Sequence, residues 1–381
     1  MSTEIQRTIK IGVIGAGHAA TSTHLPILAR LSGVRLEAIC DVDTELAKQV
    51  AARFRIPRVY GQAAEILEEE DLEAVDILTP PDSHAGIAVQ AMRRGRTCLM
   101  EKPLATSTRD ADTVIAVAEE TGTSVHVTYN QSFFPEVRRA KAVVASGDIG
   151  RLLSVDVRYS APLSKEAFLE PSHWGHRLPG GVFGEIAPHL AMLILDFLPE
   201  AKVVGAFGSK VSNFPHIRWD ELRVIVESGQ CLGSFTVSLN SPFTRLEIAA
   251  QGEEGAILTN SDTRTLVVRR PVKGFRVVRT PMEGIPRALG VLQEMGQQAT
   301  GLLSTSLKVI AGRLSYLEGH RYLITRSIGA LRGDGTYPIS LPKCRDATRL
   351  LESAWEELEV NGEDGTAGSV QLQTVSRCCN A

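Results

Sequence analysis

Three groups of residues in this chain have the types and spacing to do chemistry. In KIGVIGAGHAA, Gly15, Gly17 and Ala20 stand in G-x-G-x-x-A spacing between an apolar run and a helix starting near His18. Such a turn aims backbone N–H groups and a helix N-terminus at a diphosphate. The first glycine makes the bend, the second admits the phosphates, and the third small residue keeps helix and strand close. His18 and Ala19 complete the turn and are expected at the same ligand. Asp41 ends the next apolar run, about twenty residues on, where an acid accepts hydrogen bonds from ribose hydroxyls. It repels a 2′-phosphate, and Val42 and Asp43 add no cation, so NAD(H) is expected over NADP(H). In the competing reading the glycines only shape a turn and Asp41 caps the next helix.

The second group is Glu101-Lys102-Pro103, directly after apolar Thr97–Met100. A charged pair at the end of a buried strand is either a solvated loop or a site. Pro103 is a candidate for unusual peptide geometry. The third is Glu185 and His189 in GGVFGEIAPH. At i and i+4 on a helix both project from one face, and an acid with a histidine can relay a proton. A buried, hydrogen-bonded pair without chemistry competes with that reading. Gly180 and Gly181 would let the chain enter the helix close against a ligand. Just before them, SHWGHR offers Trp174 with His173, His176 and Arg177. An aromatic face with polar neighbours suits a sugar ring, and equally suits packing at a domain junction.

The elements that must position these groups follow from hydrophobic patterning. Strand-like runs at Ile9–Ile14, Leu36–Ile39, Ala74–Leu78, Thr97–Met100 and Ser124–Thr128 alternate with helical patterns at Glu45–Phe54, Ala85–Arg94 and Ala111–Glu120. Continuously apolar strands alternating with helices predict an α/β Rossmann domain, a parallel sheet covered on both faces. Thr79-Pro80 then falls at the carboxyl edge of a strand, where ligands of open α/β sheets lie. Asp82 or Ser83 can cap the helix that follows. After Asn130 the pattern changes. A helix at Glu136–Ala145 and a strand at Leu152–Tyr159 precede six strand-like runs between Val203 and Val278, the last at Phe275–Val278, without long helices between them. That predicts an α+β second domain with a mostly antiparallel sheet. Pro286–Leu331 and Ala347–Leu358 read as helical, the first as an oligomer element or a lid. The expected division is 1–130 for the dinucleotide domain, 131–358 for the second domain, and 359–381 for a fraying tail.

Composition narrows the partners. The chain has 381 residues, 43% hydrophobic and 22% charged, with a net charge of −3. It is too long for one ordinary core, and nothing in its charge calls for nucleic acid or an anionic membrane. The longest apolar run, near Leu190–Leu198, is interrupted by Asp196 and too short to span a bilayer. Met1–Lys10 is polar and lacks the apolar core of a secretory signal. The six scattered cysteines have no C-x-x-C pair, which favours free thiols in a reducing cytoplasm. The nine histidines show no H-E-x-x-H or comparable spacing, so no metal is expected.

Taken in order, TPPDSHAGIAVQAMRRG (79–95), MEKPLA (100–105) and GGVFGEIAPH (180–189) make the chain resemble the Gfo/Idh/MocA family of sugar and cyclitol oxidoreductases. The resemblance runs from Lys10 to about Leu358. It implies that Thr79, Pro80 and His84 line the cofactor cleft and that Glu101 touches the nicotinamide ribose. Lys102 would be catalytic beside the nicotinamide, where a cation stabilises oxyanion character as hydride leaves carbon. It also implies a homodimer or homotetramer paired through the open face of the second sheet. Two departures stand out. Glu185 occupies the place of the family's common Asp, and Ser132 in YNQSFFP replaces a common Arg, while Gln131 can still face the nicotinamide. The leading expectation is an NAD-dependent dehydrogenase acting on a secondary alcohol of a sugar, sugar derivative or cyclitol, with Lys102 and His189 handling the hydroxyl proton. Redox-neutral use of NAD around an elimination or hydrolysis, and a non-catalytic NAD(H) sensor, are the alternatives.

Overall fold

The computed structural model describes residues 7–69, 71–163, 166–271 and 317–363, with short helical pieces between 288 and 307. The expected strand Phe275–Val278, most of 286–316 and the tail beyond 363 lie outside the described residues.

Six strands form the first sheet: β1 (Ile9–Ile14), β2 (Val34–Cys40), β3 (Arg58–Tyr60), β4 (Ala74–Ile77), β5 (Thr97–Glu101) and β6 (Val125–Thr128). All pair in parallel in the order β3-β2-β1-β4-β5-β6. The order reverses beside β1, so the crevice outside the carboxyl ends of β1 and β4 is the place this topology offers a ligand. The helices α1 (Thr44–Phe54), α2 (His84–Arg93) and α3 (Thr108–Thr121) connect the strands. Ala47, Val50 and Ala51 of α1 seal one face with Leu25 and Leu28, while Ile87 and Ala91 of α2 and Val114 of α3 seal the other. The short β3 escapes a patterning search because Arg58-Val59-Tyr60 is half-buried at the sheet edge.

The helix α4 (Pro135–Ala145) leads into a seven-stranded sheet in the order β13-β12-β11-β7-β10-β9-β8. Its strands are β7 (Leu152–Pro162), β8 (Lys202–Ser209), β9 (Glu221–Ser228), β10 (Cys231–Ser238), β11 (Asn240–Gly252), β12 (Ala256–Asn260) and β13 (Thr265–Arg269). Only β7 and β10 run parallel; every other pairing is antiparallel. Burial alternates along β7, with Val155, Val157, Tyr159 and Ala161 inward and Asp156 and Arg158 exposed, so one face is covered and the other open. Helix α5 (Phe183–Phe197) lies on the covered face. Its apolar run is a core helix, with Leu190, Leu193 and Ile194 at 0% exposure, each contributing about 1.5–3 kcal/mol by burial. No described helix is long and apolar enough to cross a membrane.

Two helices close the described chain, α6 (Glu318–Arg332) and α7 (Leu341–Glu363). Although α6 lies far beyond residue 131, its Ile324 and Ile328 join the core beneath β1, alongside Ile9 and Ile11. It thereby returns the chain to the first sheet. Helix α7 packs on α3, α5 and β8, bridging both sheets.

Candidate active site

The glycine turn leaves β1 at the switch in strand order. Gly15 has φ +105°, and a Cβ there would stand 2.7 Å from the backbone of Leu78 at the end of β4, so only glycine fits. Gly17 differs: a Cβ on it would meet nothing within 4 Å, and its open side faces a cavity. The chain continues into helix with one wide π turn at Ala20–His24. At the end of β2, Asp41 Oδ2 accepts the Ala16 N–H at 2.7 Å and Oδ1 accepts the Asp43 N–H at 2.9 Å. The helix cap belongs to Asp43 instead, which accepts the Leu46 N–H at 3.0 Å. Asp41 is therefore fixed against the glycine turn rather than spent on capping.

These residues share a cavity of about 790 Å³, a size that takes a cofactor with a ligand. Gly15, Gly17, His18, Ala19, Asp41, Thr79, Pro80, Glu101 and Lys102 lie on the strand-edge wall, and Phe168, His173, Trp174 and Glu185 on the facing wall. A glycine turn open to the cavity, a helix N-terminus and a fixed carboxylate are what an adenine dinucleotide requires, so the donor set fits NAD. Lys102 crosses between the walls. Its Nζ donates to the main-chain carbonyl of Glu185 at 2.7 Å, which ties the end of β5 to the first turn of α5. The Lys102–Pro103 peptide is cis. Thr79 Oγ1 and Ser83 Oγ are 2.7 Å apart, and Ser83 also donates to the Pro80 carbonyl at 2.7 Å. Neither Asp82 nor Ser83 caps the following helix with its side chain.

Several expected residues sit elsewhere. His84 is fully buried behind the wall, its ring nitrogens 2.8 Å from the Pro103 and Thr79 carbonyls. It sits between the two loops instead of lining the cleft, and burial pushes its pKa down against the upward pull of the two carbonyls. His176 also turns away, with Nε2 3.1 Å from the Phe168 carbonyl. Glu185 and His189 do share α5, but only Glu185 is among the lining residues. The His189 ring stands edge-on to Tyr129 with centroids 6.5 Å apart. Gln131 and Ser132 lie in a short 3-10 turn at 130–133, off the cavity wall, and the Ser132 Oγ is buried without a hydrogen-bond partner. The tight approach at Gly180 is to Trp355 of α7, whose ring a Cβ would meet at 2.6 Å, and not to a ligand. Positive φ at Gly180 (75°) serves that packing.

Sequence reasoning missed a cluster behind Glu101. His24 lies between Asp76 and Glu101, and His320 of α6 reaches the same Glu101 oxygen. One signal was available: Asp76 is an acid inside the apolar strand AVDI, and an acid buried there needs a partner. Nothing local announced that His320, more than two hundred residues away, would supply part of it.

Comparison with known proteins agrees with this geometry. Residues 9–129 match the family model described as an oxidoreductase family, NAD-binding Rossmann fold, and residues 137–258 match the GFO/IDH/MocA C-terminal domain. A D-apiose dehydrogenase of Paraburkholderia graminis is 30% identical over 39% of this chain and 40% of its own length. A levoglucosan dehydrogenase of Pseudarthrobacter phenanthrenivorans is 28% identical over 52% of this chain and 54% of its own. The chain thus spans about half the length, or less, of these curated relatives. In fold it is similar to the WlbA dehydrogenase of Bordetella pertussis, crystallised with NADH and UDP-GlcNAcA. That match has a TM-score of 0.75 at 18% identity and covers 93% of this chain and 96% of that one. With two successive family domains matched along one chain and the strand order of the family's cofactor domain beneath them, the protein belongs to the Gfo/Idh/MocA oxidoreductases.

Proposed function

We propose that this chain is an NAD-dependent dehydrogenase acting on a secondary alcohol of a sugar, a sugar derivative (nucleotide-linked ones included) or a cyclitol. One observation carries the reading: the glycine turn, Asp41, Lys102, Trp174 and Glu185 all face the same cavity. Bound there, NAD supplies hydride acceptance at the nicotinamide carbon, and the protein supplies position and charge. The glycine turn and the helix after it hold the diphosphate, and Asp41 takes the adenosine ribose hydroxyls. Lys102, anchored by the Glu185 carbonyl, hydrogen-bonds the substrate hydroxyl and stabilises its oxygen as the C–H bond breaks. The Glu185 carboxylate, which lines the same cavity, is the group that takes the hydroxyl proton onward, while His189, one turn along α5, lies off that wall. Trp174 offers the flat apolar face on which a pyranose or cyclitol ring stacks. The names of the relatives, which act on apiose and levoglucosan, favour a small polyhydroxylated ring.

Two further assignments go with this. The open face of the second sheet exposes Phe207, Ile225 and Leu232 interleaved with charged Arg223 and Glu227, an apolar set with ion-pairing partners that supports pairing of two copies into a homodimer or a homotetramer. The described cysteines are buried, free thiols, which favours the cytoplasm. The test is turnover: purified protein is offered NAD with a panel of polyols, aldoses, anhydrosugars and nucleotide sugars. NADH appearing with at least one class is the expected result. Tightly bound NAD with no net reduction on any of them would defeat the reading.

A further inference from the structure

The strand ends that carry Glu101 also enclose ionisable groups that hydride transfer as described does not use. His24, in the wide turn after the glycines, is fully buried. Its Nδ1 lies 2.8 Å from Asp76 Oδ2 on β4, and its Nε2 lies 2.9 Å from Glu101 Oε1 on β5. His320 of α6 places Nε2 3.3 Å from that same Glu101 oxygen. The other Glu101 oxygen accepts the Lys102 backbone N–H at 3.2 Å. Ionised carboxylates only accept hydrogen bonds, so a ring lying between two of them must donate from both nitrogens, which makes it an imidazolium. Two buried carboxylates this close would otherwise lack compensation, and removing one member of such a set is strongly destabilising.

We propose that His24 is a positioning residue: a buried imidazolium, clamped between Asp76 and Glu101, that keeps the Glu101 carboxylate ionised and fixed on the cavity wall beside Lys102. The proposal rests on the assignment of Glu101 and Lys102 to the nicotinamide end of the cavity. It gives the wide turn a purpose, since π turns concentrate at functional sites and this one carries His24 between the two strand ends. It also joins the segment that grips the diphosphate to the strand that carries the catalytic lysine.

Electrostatics agree with the geometry. Burial opposes charge on His24, but Asp76 and Glu101 outweigh it and raise its pKa to about 10. Burial alone would push Glu101 up, yet hydrogen bonds and charge from His24 and His320 hold it well below the ordinary carboxylate range. The groups facing His24 are Asp76, Glu101 and His320, with Tyr337 nearby, its pKa pushed up chiefly by burial and to a lesser degree by Cys344, Glu101 and Asp76. The nearest chemical alternative is a cation, because one ligand atom each from His24, Glu101 and His320 lies within 4.8 Å of the others. The 2.9 Å separation of His24 Nε2 and Glu101 Oε1 fits a shared proton better. Two ligands of one tetrahedral zinc, each ~2.0–2.1 Å from it, stand about 3.3 Å apart, a spacing that His320 Nε2 and Glu101 Oε1 meet and the shorter His24 contact does not.

The experiment has three arms on the full chain. Nitrogen-15 NMR of the imidazole rings reads His24 directly, in wild-type protein. Both nitrogens protonated at about pH 8, where a free histidine is neutral, is the expected result, and a neutral ring overturns the proposal. Metal analysis after purification and again after dialysis against zinc is expected to find none held. One tightly held ion per chain overturns it as well. Finally, the acid limb of the pH profile for NADH binding is measured in His24→Gln and in His24→Gln combined with Asp76→Asn. The single variant is expected to move that limb upward by about one to three units, because Glu101 loses its cation and keeps an anion nearby. The double variant is expected to move it back, since only one carboxylate remains. A limb unmoved in the single variant, or moved equally in both, marks a merely structural histidine. Absence of any NADH binding by wild-type protein sinks the dehydrogenase reading instead, and leaves the ring measurement to decide His24.

Discussion

The two walls of the cavity are built differently. On the strand-edge wall the glycine turn and Asp41 are fixed by chain close at hand or by an adjacent strand, and distant residues, His320 on Glu101 and Glu185 on Lys102, add to it only at the end of β5. Asp41 grips Ala16, Gly15 rests on Leu78, and Glu101 leans on its own neighbour's N–H. The facing wall, with Phe168, His173, Trp174 and Glu185, comes from short turns before α5 and from its first turn, seated by residues such as Trp355 that lie far along the chain. Around the glycine turn the first wall depends on backbone geometry that many side-chain changes leave untouched. The second depends on packing, so its shape follows substitutions at a distance. A cofactor held constant while the substrate varies is what such a division supports.

Substitutions on each wall can break or sharpen that contrast. The largest effect belongs to Lys102, which joins the two walls. Lys102→Met is expected to lower kcat by roughly 10³-fold with NADH affinity little changed, as loss of a group acting on developing charge does. Stopped-flow hydride transfer and a separate binding titration check it. Next, Gly15→Ala is expected to destabilise the fold by about 3 kcal/mol in a denaturant melt, through the strained φ and the clash with Leu78. Gly17→Ala, with open space around it, is expected to leave the melt unchanged and to weaken NAD alone. Equal melts for the two variants would erase the distinction drawn between them.

Asp41→Ala follows, with NAD affinity expected to fall about 10- to 100-fold by calorimetry. It leaves the Ala16 N–H without its acceptor and removes the ribose contact. On the facing wall, Trp174→Ala is expected to raise KM for the sugar about 10-fold while the NAD dissociation constant holds, since only stacking area is lost. A change in cofactor affinity of the same size would mean that the walls are not separable.

The smallest effect is on stability against pH. Burial pushes His126 down to about 4, so it stays neutral in the fold while the unfolded chain takes up its proton below about 6.5. That stability is present above about 6.5 and lost as pH falls toward 4. His24 runs the other way. Its folded pKa is raised to about 10, so its contribution is complete below about 6.5 and lost as pH rises through 10. Thermal melts are expected to show a maximum near neutrality with a decline of a few degrees on each side. His126→Gln flattens the acid side only.

Much of this was legible in the sequence where the signal is local. The parallel sheet followed from apolar runs alternating with helices, the glycine turn and Asp41 from their spacing across β1 and β2, and the roles of Glu101 and Lys102 at the end of β5 from the family resemblance. The facing wall was less legible. Glu185 and His189 have the spacing that puts both on one face of α5, yet only Glu185 reaches the cavity. His84 sits in a cofactor-like block but spends its ring on two carbonyls. Helix α6 returns to the first sheet across some two hundred residues and delivers His320, a placement set by tertiary packing that no periodicity encodes.

The most direct test of the central claim is a calorimetric titration of the purified chain with NADH and NADPH side by side. The arrangement at Gly17 and Asp41 predicts one NADH site per chain and NADPH at least ~10-fold weaker, because the 2′-phosphate meets a fixed carboxylate. No heat with NADH, or equal affinity for the two, would contradict it.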